Sequence, residues 1–164
     1  MKQLFIALWA VLLPALAAAQ DLAALDTENG YQGQTFGTRF EAFTGFVQVD
    51  TKIENEGIIT HYTKPTEPAT FAGAIPKQVQ YGFYKGQLYT VSVVLQPGKH
   101  GGVFTELVKR YGEPTLVDGH TYYWQGRNVF MTYTDNPETS GASIYLLSEP
   151  IFGRKKADKK ALAK

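Results

Sequence analysis

Two alternating apolar segments joined by a short turn constrain the fold of this chain more than any other feature. Residues Val79–Tyr84 and Gln87–Leu95 are rich in β-branched and aromatic side chains, and Lys85-Gly86 lies between them. Because glycine permits the positive φ angle of a two-residue hairpin turn, the pattern predicts a β-hairpin and hence an antiparallel sheet. In the second strand, the alternation predicts a core-facing set made of Tyr89, Val91, Val93 and Leu95.

Two further segments predict helices. Residues Gly102–Tyr111 place apolar side chains every three or four positions, which is the spacing of a helix with one buried side. Gly112 follows directly and suits a C-terminal cap. A shorter helix of about two turns is predicted after Thr38, because its spacing from Glu41 is that of a capping box.

The remaining strands are predicted from short runs rich in β-branched and aromatic residues. These runs are Ile58–Lys64, Thr115–Trp124 with a break at Asp118-Gly119, Asn128–Thr134 and Ala142–Ser148. Together with the hairpin, they give the order helix then three strands twice. We therefore expect an α+β fold with an antiparallel β-sheet of about six strands and with the helices packed on one face.

The first nineteen residues have the three parts of a secretory signal peptide. Lys2 is the positive charge, Leu4–Leu13 is an apolar run of ten residues, and small residues surround a cleavage site placed after Ala19. The run is too short to span a bilayer. The alternative, a buried N-terminal helix, is disfavoured because the run has no polar side. We expect export to the bacterial periplasm or the exterior as a soluble protein.

Cysteine is absent from the sequence, and charge is unevenly distributed along it. Without cysteine there is no disulfide framework, thiolate metal site or lipid anchor. Residues 20–153 hold nine basic and fourteen acidic side chains, a net charge of −5, whereas residues 154–164 hold six basic and one acidic. We predict a single α+β domain at 20–153 and a basic flexible tail or marginal helix at 154–164. The body has no basic stripe interleaved with aromatics, so we expect no nucleic-acid partner.

Three stretches carry a resemblance to known proteins: Tyr81–Tyr89 (YGFYKGQLY), Phe104–Pro114 (FTELVKRYGEP) and Tyr122-Tyr123-Trp124. They look like a pattern common in exported bacterial proteins of unknown function. The repeated helix-and-three-strand layout is similar to the β-lactamase-inhibitor-protein-like fold, which small outer-membrane assembly lipoproteins of the SmpA/OmlA type share. Those lipoproteins carry a lipidated cysteine that this chain lacks. The resemblance implies a protein-binding role with the exposed sheet face as the contact surface.

Residues with the chemistry for catalysis or metal binding are sparse. His61, His100 and His120 show no metal-ligand spacing, and no nucleophile motif is present, so we predict no metal site, no catalytic residues and no cofactor. His61 and His120 lie on predicted strands, either as two ligands converging across the sheet or as ordinary half-exposed strand residues. An anion site is a further hypothesis, because a helix start with glycines suits an anion; its residues are Lys99, His100, Gly101 and Gly102.

Aromatic residues are unusually frequent, with ten Tyr, ten Phe and two Trp. Since strand residues alternate between faces, they cannot all point into one core, and outward Tyr and Trp suit a recognition surface. The inward set is predicted as Phe83, Tyr89, Tyr123, Met131 and Tyr133. The outward, binding set is predicted as Tyr84, Tyr122, Trp124 and Tyr145. The alternative is the ordinary preference of aromatics for strands.

Three function hypotheses follow from these patterns. The first is a non-enzymatic exported module that binds an envelope or secreted protein through its aromatic-rich sheet face. The second is a small-ligand or carbohydrate-binding protein with a cleft around Trp124 and His61. The third, an unfamiliar hydrolase, requires a convergent cluster of acids, bases or metal ligands.

Overall fold

The computed structural model describes residues 22–54, 57–66 and 70–162, without the side chains of 52–54, 57 and 162. The predicted signal peptide and its cleavage site lie outside these ranges. The helices are α1 (22–28), α2 (Val103–Tyr111) and α3 (Glu149–Leu162). The strands are β1 (Gly30–Tyr31), β2 (Gln34–Thr35), β3 (Val47–Glu54), β4 (Gly57–Thr63), β5 (Pro76–Tyr84), β6 (Gln87–Leu95), β7 (Leu116–Asp118), β8 (Thr121–Gln125), β9 (Val129–Asn136) and β10 (Gly141–Ser148).

The predicted hairpin is confirmed as β5 and β6. Its turn residues Lys85 and Gly86 both have positive φ, 50° and 73°, which is the geometry of a two-residue turn that follows the twist of the strands. The predicted helix at Gly102–Tyr111 is confirmed as α2. It ends at Gly112, which has a φ of 77° and donates its backbone N–H to the Val108 carbonyl.

An eight-stranded antiparallel sheet forms the body of the protein, in the order β3-β4-β5-β6-β10-β9-β8-β7. Strands β3 to β6 make one meander and β7 to β10 a second, and the two join through the antiparallel pair of β6 and β10. The strand number exceeds the predicted six. Strand β3 was not among the predicted strands, and it pairs with β4. The break predicted at Asp118-Gly119 separates two paired strands, β7 and β8. A separate two-stranded sheet holds β1 and β2.

One side of the sheet, here called the core side, carries rows of directly opposed apolar residues. One row consists of Val79, Val93, Ile144, Tyr133 and Tyr122. The next consists of Tyr81, Val91, Leu146, Met131 and Trp124. Helix α2 packs on them through Val103, Leu107 and Tyr111, and α1 through Leu25. The main hydrophobic core therefore lies between the sheet and these two helices.

A β-bulge reverses the predicted direction of Tyr89. Gly82 is opposite Thr90 but the next pair is Phe83 with Leu88, so Tyr89 is the extra residue. It therefore leaves the core side, where Leu88 takes the predicted place, and packs in a second cluster on the opposite side. The glycine is needed there because a Cβ at Gly82 would meet the Thr90 hydroxyl.

Helix α3 lies on the side opposite the core, so the prediction that the helices share one face is wrong. The physical reason is a second apolar cluster at one end of that side, made of Ile59, Tyr84, Tyr89, Leu147 and Ile151. Ile151 of α3 is 2% exposed in this cluster. Residues 154–164 were predicted as a basic tail or marginal helix; they are helical through Leu162, and Lys155 is buried with its Nζ 5.3 Å from the Tyr89 ring centre.

The segment after Thr38 forms a single 3-10 turn, Phe40–Ala42, and the predicted capping box is absent. Its backbone pairs with the β5–β6 hairpin instead. The Thr38 carbonyl accepts the Leu88 N–H at 2.9 Å, and the Phe40 N–H donates to the Gly86 carbonyl at 2.8 Å. These backbone bonds take the place of a helix.

Two carboxylates anchor α1 to the rest of the protein. Asp26 accepts the backbone N–H groups of Arg127, Asn128 and Val129 at the turn between β8 and β9, at 2.7 to 3.1 Å. Glu28 accepts bonds from the Arg110 guanidinium at 2.7 Å and the Tyr111 hydroxyl at 2.6 Å. These charge-assisted bonds fix α1 over the core.

Candidate binding surface

The side of the sheet opposite the core carries two rows of directly opposed residues that α3 leaves uncovered. The row nearer α3 consists of Gln80, Ser92, Tyr145, Thr132, Tyr123 and Leu116. The next row consists of Gln78, Val94, Ser143, Thr134, Thr121 and Asp118. We call these twelve residues the open face. Each row crosses six strands, so at about 4.8 Å per strand the open face is roughly 24 Å long.

Hydroxyl, amide and aromatic groups dominate the open face. The hydroxyls of Thr121 and Thr134 are bonded to each other at 3.1 Å, and the Tyr123 ring lies 6.0 Å from Phe130 in the neighbouring row. Tyr145 lies near the centre and is 37% exposed. Leu116, at the β7 edge, is 59% exposed. The surface thus combines hydrogen-bonding groups with accessible apolar area.

The four residues predicted to bind through an outward face do not lie together. Tyr145 points outward and belongs to the open face. Tyr84 is on the same side of the sheet but is buried beneath α3, where its hydroxyl donates to Asp158 at 2.7 Å. Tyr122 is on the core side, with its ring 4.4 Å from Phe104.

Trp124 is fully buried, so the prediction that it faces outward is wrong. It lies in the main core, and its indole N–H donates to the Gly112 carbonyl at 2.8 Å. The alternation in β8 is therefore opposite to the predicted one, and Tyr123 is the outward residue. A sequence signal for this existed: Thr121 and Gln125 are polar and share a face with Tyr123.

The predicted inward set is confirmed for Phe83, Met131 and Tyr133, which are all buried in the main core. The signal for the misplaced Tyr89 was Gly82, because a glycine inside a strand often marks a bulge. The cleft predicted around Trp124 and His61 does not form. His61 is opposite Gly82 on the side away from the core, whereas Trp124 is inside the core.

The loop predicted to bind an anion precedes α2 and lines a hollow of about 460 Å³ with Lys99, His100, Gly101 and Gly102. The N–H groups of Gly102 and Val103 both donate to the His100 carbonyl, at 2.9 and 3.0 Å. Glu106 lines the same hollow and adds a negative charge. These two backbone N–H groups at the start of α2 are therefore already hydrogen-bonded within the protein. Anion binding at this loop stays a prediction.

The histidines do not converge. His61 on β4 pairs with Asp50 at 2.9 Å, and His100 pairs with Asp135 at 3.3 Å. His120 directly precedes β8, which four strands separate from β4, so His61 and His120 cannot share a ligand across the sheet. Within the described ranges, no three His, Asp or Glu side chains are grouped as a metal site. Each described histidine–aspartate contact is thus a single pair. The hydrolase hypothesis requires a larger cluster of acids, bases or metal ligands that converge on one site.

A cleft of about 610 Å³ lies where the β5–β6 turn meets the end of α3. Its apolar lining includes Phe40, Ile58 and Tyr62, and the Phe40 and Tyr62 rings stack at 4.3 Å. Lys85 and Asp158 form an ion pair of 2.7 Å at its border. The cleft has the size and lining of a small-molecule site.

Buried tyrosines make the fold sensitive to alkaline pH. Burial raises the pKa of Tyr84 to about 12, and the hydrogen bond to Asp158 adds to the shift. Burial also raises the pKa of Tyr133 to about 12. A raised pKa means that the folded state holds the proton more tightly than the unfolded state. The associated stability is therefore complete below the ordinary tyrosine pKa of 10 and is lost as pH rises through 12.

We expect the free energy of unfolding to fall between pH 10 and pH 12, because Tyr84 and Tyr133 ionise there in the unfolded state while the folded state still holds their protons. Urea titrations at several pH values, combined with ultraviolet absorbance of tyrosinate, measure both quantities. Tyr84→Phe should reduce the slope in this window. An unchanged slope would contradict the contribution of Tyr84.

The fold and surface define a class of protein: an α+β module in which two four-stranded meanders form one sheet with an open face. The chain belongs to the TP0088 domain family, a bacterial domain of unknown function whose model matches residues 29–140. No curated protein and no solved structure gave a significant match. No relationship to the SmpA/OmlA-type lipoproteins is shown. None of the described helices is both long and apolar enough to cross a bilayer.

Proposed function

We propose that this protein is an exported, non-enzymatic module that binds another protein through the open face. The observation that carries the proposal is the pair of rows that cross six strands without cover from a described helix. A sheet side that is not needed for the core is free to carry recognition groups. The aromatic and hydroxyl groups there are of the kinds that protein interfaces use.

The charge of the open face supports a protein partner. Among its twelve residues Asp118 is the sole charged one, and it lies at the β7 edge. Interface centres are depleted in Lys, Glu and Asp and enriched in aromatic residues. Tyr145, with Thr132 beside it, is the natural anchor because it lies centrally and is accessible.

Sequence features add two supports. The apolar run and small residues of positions 1–19 favour export, and the given sequence has no cysteine thiol that a lipid could modify. The resemblance of the sequence to the β-lactamase-inhibitor-protein-like fold implies contact through an exposed sheet face, although the structure has a 3-10 turn in place of the first predicted helix. The partner is then a protein of the bacterial envelope or the exterior.

The test uses two variants with the same chemical change. Thr132→Arg places a long charged side chain at the centre of the open face, whereas Thr105→Arg places it on the exposed outer side of α2. We expect proteins captured from envelope extract by the unmodified protein to be captured equally by Thr105→Arg and at least tenfold less by Thr132→Arg, because one blocked hot spot costs about 1.4 kcal/mol or more. Equal capture by all three proteins would refute the open face as the contact surface.

A small ligand in the cleft near Phe40 and Tyr62 is the second candidate, favoured by the aromatic lining and the volume of about 610 Å³. The two candidates give different chemical-shift changes. A cleft ligand perturbs Ile58 and Tyr62, whereas a partner on the open face perturbs Thr132 and Tyr145.

A further inference from the structure

We propose that the outer side of α3 binds the surface of an anionic lipid bilayer. Three cationic side chains, here called the basic face, are responsible: Lys156, Lys159 and Lys160. All three are exposed, and they lie within five residues of one helix, a length of about 6 Å. The contact is distinct from the open face and extends the proposed function.

The docking of α3 determines which way the basic face points. Ile151, Lys155 and Asp158 recur every three or four residues and hold the helix on the sheet through burial, a cation–π contact and an ion pair. At 100° per residue, Lys156 and Lys160 then lie on the opposite side, toward solvent. The fold therefore presents these charges outward on a rigid element.

The charges of the basic face are not neutralised by neighbouring acids. In the described part of the chain, Arg39, Lys85 and Arg110 each pair with a carboxylate, and no member of the basic face does. Lys156 and Lys160 are four residues apart, a like-charge spacing that destabilises a helix slightly. A polyanionic surface would relieve this repulsion.

The shape of the basic face favours a bilayer over a nucleic acid or an acidic protein. The side of a straight helix contacts a plane along its whole length, and the basic face has no groove and no row of aromatics on which bases would stack. Phe152, half-buried with Lys156 Nζ 4.1 Å from its ring centre, supplies an aromatic group at headgroup level. The choice of an anionic lipid also rests on the proposed export, because an exported protein meets membranes with anionic headgroups.

The experiment is co-sedimentation of the purified protein with vesicles of phosphatidylglycerol and phosphatidylcholine, compared with pure phosphatidylcholine vesicles. A triple variant, Lys156→Gln, Lys159→Gln and Lys160→Gln, is compared with a matched one, Lys77→Gln, Lys109→Gln and Arg127→Gln. Both remove three exposed positive charges, but only the first changes α3. Each lysine near an anionic surface contributes roughly fivefold in partitioning, so the α3 variant should lose on the order of a hundredfold.

Binding to the anionic vesicles that weakens as salt rises, and that only the α3 variant loses, supports the proposal. Equal binding to both lipid compositions overturns it, as does an equal loss in the matched variant. Tighter binding to a DNA duplex than to anionic vesicles at the same salt also overturns it and assigns the basic face to nucleic acid. Because the vesicles are added to purified protein, the result does not depend on export or on the open face.

Discussion

Trp124→Ala is expected to lower the free energy of unfolding by about 3–5 kcal/mol, which is the range for large aromatic residues removed from a core. The side chain is 0% exposed, and its ring packs within 6.3 Å of Phe104 on α2. Truncation also leaves the Gly112 carbonyl, at the end of α2, without the indole N–H that it accepts at 2.8 Å. The cavity and the lost bond both weaken the contact between α2 and the second meander.

The control for Trp124→Ala is Tyr123→Ala, the neighbouring residue on the opposite side of β8. Tyr123 is half-buried, so its removal should cost about 1–2 kcal/mol. Chemical denaturation of both variants measures the difference. A larger loss for Tyr123→Ala would reverse the assignment of the two sides of β8 and restore the one predicted from sequence.

Local signals in the sequence predicted the elements that depend on local geometry. Lys85-Gly86 defined the hairpin because the turn needs positive φ, and Gly112 defined the end of α2 for the same reason. The direction of Tyr89 depended on a bulge opposite Gly82, and that is a property of two strands together. Periodicity within one strand could not predict it.

The position of α3 was beyond prediction for a different reason. Its sequence is polar, and its contact with the sheet depends on Ile151 together with a buried lysine, Lys155, over the Tyr89 ring. A prediction based on apolar residues alone misses such a contact. The aliphatic part of the lysine side chain packs like an apolar group, while its charged end lies over an aromatic ring. The burial of Tyr84, predicted to be outward, follows from the same helix.

The open face could be recognised only from the register of the whole sheet. Tyr145 could be predicted as outward from alternation in its own strand. Its neighbours Ser92, Thr132 and Tyr123 become neighbours only through pairing of β6, β10, β9 and β8. Because β6 and β10 lie about fifty residues apart in sequence, no local pattern indicated that the two meanders share one surface.

Ile151→Asp is expected to release α3 from the sheet. Ile151 is 2% exposed in the cluster with Ile59, Tyr84 and Leu147. Replacement removes apolar burial worth about 2–3 kcal/mol, and it places a carboxylate in an apolar site, where an unpaired charge is strongly disfavoured. The ion pair and hydrogen bonds of Asp158 are partly exposed and contribute little by comparison, so they should not hold the helix alone.

The measurements are amide hydrogen exchange of α3 and titration of Tyr84. In Ile151→Asp we expect rapid exchange along α3, and the pKa of Tyr84 should fall from about 12 toward its ordinary value of 10, because burial and the Asp158 contact are lost together. The main core lies on the other side of the sheet, so exchange in β6 and β10 should remain slow. Ala157→Asp, an exposed position on the same helix, serves as the control and should leave both readouts unchanged. Continued protection of α3 in Ile151→Asp, with the pKa of Tyr84 still raised, would show that its polar contacts suffice to dock the helix.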